Sequence, residues 1–257
     1  MLEHTFLHLP GVGEKTERSL WDQGIVTWTD AIDAGACPTG FSDGRWGQAC
    51  RLIEESLRSL QRSDHRHFAD ALASAEHWRA WHNFRRRAVY LDIETTGCGF
   101  HDQVTVVGLY DGLRTCSFVS GDNLDQLPEA ISQYSMLVTF NGSSFDVPFL
   151  RRRFPGLQFD HLHVDLMHVL RRLGLKGGLK AIERRVGIAR DSDIAHLDGW
   201  DAVRLWQQWC RGSEESLEML VRYNTADIEN LEHLAGLAYR ELRSSLRLPC
   251  DDGGEGQ

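Results

Sequence analysis

The spacing of apolar and polar positions changes once along the chain, at residue 88. Before that point apolar residues recur at helical spacing. They predict a helix through Leu20 and Trp21 that stops at Gly24, a short one over 29–34, and two more over 46–60 and 69–79. A glycine-rich stretch with Pro38, 35–45, reads as a loop. From Ala88 the pattern is that of strands. Ala88-Val89-Tyr90-Leu91-Asp92-Ile93-Glu94-Thr95-Thr96-Gly97 is an apolar run ending in two acids and a glycine turn. Strands over 104–110 and 115–119, joined through Asp111-Gly112, complete an antiparallel meander. A helix over 123–133, a strand over 136–140, a helix starting at Phe145-Asp146 and a strand over 163–165 follow. All later elements read as helices: 179–186, then 198–209 with Val203, Leu205, Trp206 and Trp209 as core, then 214–243 with Gly236 as a candidate bend.

An antiparallel meander followed by strand–helix units predicts an α/β chain with one mixed five-stranded sheet flanked by helices. The boundaries expected are a small N-terminal helical appendage over 1–85, a sheet domain over 86–245 and a disordered acidic tail over 246–257. Length and a hydrophobic content of 42% suit a globular protein with one sizeable core. The six cysteines form no C-x-x-C pair, so free thiols in a reducing compartment are expected. No signal-like N-terminus or membrane-length apolar run is present, and a cytoplasmic location is the expectation.

The net charge of −9 argues against coating nucleic acid through bulk charge but leaves a local groove open. Near the N-terminus Pro10-Gly11-Val12-Gly13 resembles the turn of a helix-hairpin-helix, whose backbone N–H groups approach a DNA phosphate. Gly11, Gly13 and Lys15 are its candidate backbone contacts; Glu14 and Glu17 place negative charge where the phosphate would sit. His65, His67, His77 and His82 read as surface histidines, since they share no helical face with carboxylates or cysteines.

Chemistry concentrates on acids. Residues two apart in a strand share a face, so Asp92 and Glu94 project side by side. Two readings are open for that pair alone: a divalent metal between them, or arginines meeting them on a solvated rim. Asp146 at a helix start and Asp227 on the terminal helix are acids that the same end of such a sheet can collect. Oxygen-only ligands suit magnesium or manganese, and paired ions of that kind clamp the attacking and leaving oxygens of a phosphodiester displacement. Tyr223 lies four residues before Asp227, on one helical face with it. Asp165 reads as a structural cap and stays outside the site.

Asp92-x-Glu94, then Asn141 to Asp146, then Tyr223-x-x-x-Asp227 resemble the three exonuclease motifs of the DEDD (DnaQ-like) superfamily in its tyrosine-bearing branch. Asp92-Ile93-Glu94-Thr95-Thr96-Gly97, Phe140-Asn141-Gly142, Gly178-Leu179-Lys180-x-Ile182-Glu183 and Arg222-Tyr223-Asn224 bring the likeness closer to the YprB-like ribonuclease-H-like group, over about 88–240. The resemblance implies a ribonuclease-H-like fold and stepwise 3′-to-5′ removal of nucleotides with two divalent ions, Mg2+ or Mn2+. It implies Asp92, Glu94, Asp146 and Asp227 as metal ligands, with Tyr223 orienting the attacking water. The histidine of the alternative branch would stand at Arg222. Expected substrate contacts are Thr95, Asn141, Phe145 and Lys180. Where many relatives carry a wedging leucine this chain has Cys98-Gly99-Phe100, so Phe100 is the expected stacking face.

The expected activity is a metal-dependent 3′-to-5′ exonuclease on single-stranded DNA or RNA ends, DNA slightly ahead because of the N-terminal turn. The alternatives are a non-catalytic nucleic-acid-binding module and an endonuclease or resolvase on the same fold.

Overall fold

A computed structural model describes residues 1–249. The N-terminal region opens on a three-residue 3-10 turn, Leu2–His4, and continues through α1 (Glu14–Asp22), α2 (Trp28–Asp33), α3 (Asp43–Gln61), α4 (His65–Ala71), a 3-10 segment Ser74–Ala80 and α5 (Trp81–Phe84). Local chemistry sets the starts: Thr27 and Asp30 form a capping box on α2, and the Ser42 and Asp64 side chains cap α3 and α4. The single helix expected over 69–79 is broken at Leu72-Ala73, where ψ is 140° at both residues. That break lets Leu72, Trp78 and Arg79 all reach the interior, which one straight helix would not do.

The sheet contains β1 (Ala88–Thr95), β2 (Val104–Tyr110), β3 (Thr115–Val119), β4 (Met136–Thr139) and β5 (Leu162–Asp165) in the order β3-β2-β1-β4-β5. β1, β2 and β3 are antiparallel neighbours, and β4 and β5 join parallel to β1, the mixed sheet read from the sequence. α6 (Leu127–Ile131) precedes β4, α7 (Asp146–Arg153) follows it, and α8 (Leu166–Arg172), α9 (Leu179–Val186), α10 (Gly199–Trp209) and α11 (Glu214–Ser245) complete the chain.

Alternation along β1 divides the core. Val89, Leu91 and Ile93 pack with α6 and α7 on one face, whereas Ala88 and Tyr90 pack with α8, α11 and the N-terminal helices on the other. Residues 1–85 therefore share one continuous apolar cluster with the sheet. Asp92 and Glu94 continue the Ala88–Tyr90 row, which aims them at α11. Gly236 lies buried within an unbroken α11. In α10 only Ala202 is fully buried; Val203, Leu205, Trp206 and Trp209, expected as core, are half-buried because that helix rims a cleft.

Two titratable side chains of the N-terminal region differ from expectation. Glu17 is buried, accepts from Thr5 Oγ1 at 2.7 Å and Phe6 N at 2.8 Å, and pairs with Arg79 at 3.2 Å, so it presents no charge to a phosphate. His77 is not a surface histidine: its Nδ1 accepts from the His163 amide at 2.9 Å, tying the 3-10 segment to β5. The N-terminal turn has Gly11 in the left-handed region at φ +70°, its carbonyl accepting from Arg45 Nη2 at 2.8 Å. Cys37, Cys50, Cys98, Cys116 and Cys210 are free thiols. No helix among the described residues is long and apolar enough to cross a membrane. The expected acidic tail lies outside the described residues from 250 on; just before it Leu248 is buried and the Leu246 carbonyl accepts from Arg18 at 2.7 Å.

Candidate metal centre and catalytic cleft

Carboxylate oxygens of Asp92, Glu94 and Asp227 lie within 4.8 Å of one another at the carboxyl end of β1. β1 supplies the first two by alternation, and α11 crosses the sheet so that Asp227 meets them. Opposite Asp92 in the antiparallel register stands Gly108, and a Cβ there would lie 2.0 Å from Asn224 Oδ1. This glycine makes room for Asn224, whose amide donates to Asp92 Oδ2 at 2.9 Å and to the Asp92 carbonyl at 3.3 Å. Asn224 and Asp227, three apart, act from one face of α11.

Asp146 stands beside this trio rather than in it. Its Oδ1 accepts from the Ile93 amide at 3.1 Å, which fixes the carboxylate at the start of α7. Asp165 caps α8 through Met167 N, and it also accepts from Asn141 N and from Ser143 N and Oγ. That supports the structural role read for it. Asn141, held at φ +65°, turns the chain from β4 toward α7.

Like charges this close and this dry repel protons' departure. Burial first, then Asp227, Asp146 and Glu94, push Asp92 well above the usual carboxylate range. Burial and Asp227 do the same to Glu94. Asp146 is raised to about 7, chiefly by burial and against its hydrogen bonds from backbone amides. Asp227 rises only to about 6, because Arg190 offsets its burial. Arg190 is buried between Asp227 and Glu183, donating to both Glu183 oxygens at 2.6 Å.

Tyr223 is buried with its ring under Lys180 Nζ at 4.4 Å. Burial, then Asp227, Glu94 and Asp92, drive its phenol far above its ordinary value. Arg222, its neighbour, turns away to pair with Asp193 at 2.6 Å and Asp191 at 3.7 Å.

Asp92, Glu94, Thr95, Phe145, Tyr223 and Asp227 all border one cleft of about 370 Å³, with Cys98, Asp198, Trp200 and Val203 on its rim. Phe100 is exposed, with Arg152 over its ring at 5.5 Å, and does not border the cleft. Gly11, Gly13 and Lys15 do not border it either. Sequence reading missed Arg190, Asn224 as a partner of Asp92, and Trp200. Asn224 had a signal, its three-residue spacing to Asp227; Arg190 sits in a loop and had none.

The donor set fits a hard divalent cation: clustered carboxylate oxygens, no sulfur or imidazole, and more negative than positive charge.

A family model described as the RNase H superfamily matches residues 89–239. Among solved structures the chain is similar to the family B DNA polymerase from the hyperthermophilic archaeon Pyrobaculum calidifontis, with 18% identity and a TM-score of 0.47 over 62% of this chain and 25% of that one. It is also similar to Escherichia coli RNase D, an exoribonuclease involved in structured RNA processing, with 20% identity and a TM-score of 0.41 over 69% of this chain and 48% of that one. The chain thus spans a quarter of the first protein's length and about half of the second's. No curated protein matches it.

Proposed function

The chain belongs to the RNase H superfamily, and from that premise we propose that it is a divalent-metal-dependent 3′-to-5′ exonuclease acting on single-stranded nucleic-acid ends. The observation that carries the reading is the convergence of Asp92, Glu94 and Asp227 within 4.8 Å, with Tyr223 one helical turn before Asp227. In this reading Asp92, Glu94 and Asp227 hold Mg2+ or Mn2+, and Asp146 completes the set from the start of α7. Bound there, the ions supply positive charge to the phosphodiester oxygens and acidify water.

The remaining tasks fall to the chain. Asn224 fixes the Asp92 carboxylate, and Ile93 N–H fixes that of Asp146. The protonated Tyr223 donates a hydrogen bond to the attacking water and aims it. Lys180, half-buried above that ring, faces the backbone phosphate, while Thr95, Asn141 and Phe145 shape the strand's path. DNA is placed slightly ahead of RNA through the turn at Gly11, Gly13 and Lys15, and the burial of Glu17 removes one repulsive charge from that turn.

Calorimetric titration with Mn2+ tests the metal role. Wild type is expected to bind Mn2+, and Asp92→Asn and Asp227→Asn to lose that binding while staying folded. Unchanged Mn2+ affinity in both variants would remove the reading.

A further inference from the structure

The cleft does not end at the carboxylates. Val203 borders it and also borders a second cavity of about 310 Å³, lined further by Thr96, Trp206, Gln207, Cys210 and Arg211. Trp200, Val203, Gln207 and Arg211 fall at helical intervals that bring them to one face of α10 and its C-terminal turn. The two cavities meet at Val203 and line up along that face as a groove of about 16 Å from Trp200 to Arg211, at a helical rise of about 1.5 Å per residue.

The chemistry of the groove is graded. At the carboxylate end Trp200 is 66% exposed, an unusual state for the largest apolar side chain. Its helix start is already satisfied, because Asp198 accepts from Trp200 N at 2.8 Å and Asp201 N at 3.0 Å. Asp201 in turn pairs with Arg204. The middle carries the half-buried Val203 and Trp206, and Gln207 offers an amide. At the far end Arg211 is exposed and makes no ion pair among the described residues. An aromatic face, then a mixed wall, then an unpaired guanidinium is the pattern that takes a stacked base followed by a phosphate.

We propose that this groove is the track of the single strand: Trp200 stacks on the base of the 3′-terminal nucleotide, and Arg211 binds a phosphate farther upstream. The proposal rests on the exonuclease reading for the placement of the 3′ end. Trp200 and Arg211 are then substrate-binding residues with different reach, one reading the terminal base and the other the length of the strand.

The test compares kcat/KM on single-stranded oligonucleotides of two and of twelve residues, each with a natural or an abasic 3′-terminal residue, in Mn2+. Trp200→Ala is expected to lose roughly tenfold on natural ends, the scale of one base–aromatic stack. It loses nothing further on abasic ends, and Trp200→Phe recovers most of the activity. Arg211→Glu is expected to lose activity on the twelve-residue strand alone, with the defect shrinking as salt rises. Arg58→Glu, a matched charge change on α3, leaves all four substrates unaffected. Equal losses on natural and abasic ends in Trp200→Ala, or on short and long strands in Arg211→Glu, would overturn the track. If wild type hydrolyses no strand, the exonuclease reading fails by itself. Fluorescence anisotropy of a labelled twelve-residue strand then decides the groove: weaker binding in both variants sustains it, and unchanged binding in either overturns it.

Discussion

Arg79 and Asp92 are charged side chains withdrawn from bulk water, yet their surroundings are opposite. Arg79 lies between Glu17 at 3.2 Å and Glu76 at 2.6 Å, and Arg172 adds a second guanidinium to Glu76 at 2.8 Å. Two acids meet two arginines, so charge closes within the cluster. It ties α1, the 3-10 segment and α8 together. Around Asp92 stand Glu94, Asp146 and Asp227, with Glu183 beside Asp227, against Arg190 and Lys180 among the described residues. That cluster has more acids than cations to balance them, in a place where negative charge is costly, which fits the cation-binding role proposed for it. On the proposed function, the balanced cluster serves the structure and the unbalanced one the chemistry.

The largest effect expected from breaking this contrast is on chemistry. Asp92→Asn should lower nucleotide release by about a thousandfold or more, the scale of losing a group that holds catalytic charge in place. Its metal-free melting temperature should not fall, because one of several like charges has gone. A drop of both together would assign Asp92 a structural role like that of Arg79. Next in size, Arg79→Met should destabilise the fold by about 3–5 kcal/mol, since it leaves Glu17 and Glu76 buried without their partner. Chemical denaturation measures this, and a change under 1 kcal/mol would mean the N-terminal cluster does not hold the helices.

Asp146 sharpens the contrast through pH. Its folded pKa is raised to about 7, so the stability it contributes is present below the ordinary carboxylate range and is lost as pH rises through 7. Metal-free Asp146→Asn should therefore exceed wild type by on the order of 3 kcal/mol at pH 8, the gap narrowing as pH is lowered toward 4. Denaturation curves across that range would show it, and a gap independent of pH would refute the raised pKa. The smallest effect is on support for the ligands. Asn224→Ala should weaken Mn2+ binding by about tenfold, as loss of a ligand's hydrogen-bonding partner does. Gly108→Ala should mimic it, because the added methyl takes the space of the Asn224 amide. Calorimetry separates the pair from a variant that merely unfolds.

Legibility in the sequence followed the range of the forces involved. β1 was readable because its alternation is local: Val89, Leu91 and Ile93 to one face, Tyr90, Asp92 and Glu94 to the other. The order of elements and the mixed sheet followed from turn residues and from strand and helix periods. Asp227 and Tyr223 were readable as a spacing on one helix. Side chains whose role depends on a distant partner were not. Glu17 looked exposed next to a glycine turn, but its partner Arg79 lies 62 positions away. Arg190 carries no periodic signal, and its place between Glu183 and Asp227 exists only once α9 and α11 pack. Trp200 falls inside the helix expected over 198–209 with nothing in the period to mark it, and the folded cleft shows that it is left uncovered beside the acids. The break at Leu72-Ala73 escaped a helical period that continues across it, because the gain from burying Trp78 and Arg79 is tertiary.

Degradation of a 5′-labelled single strand, as DNA and as RNA, in Mg2+ or Mn2+, tests the central claim most directly when wild type is set beside Asp92→Asn. The account predicts a ladder that shortens from the 3′ end, abolished by chelation and absent in the variant. Internal cuts, or an intact strand after incubation with folded, Mn2+-binding protein, would contradict it.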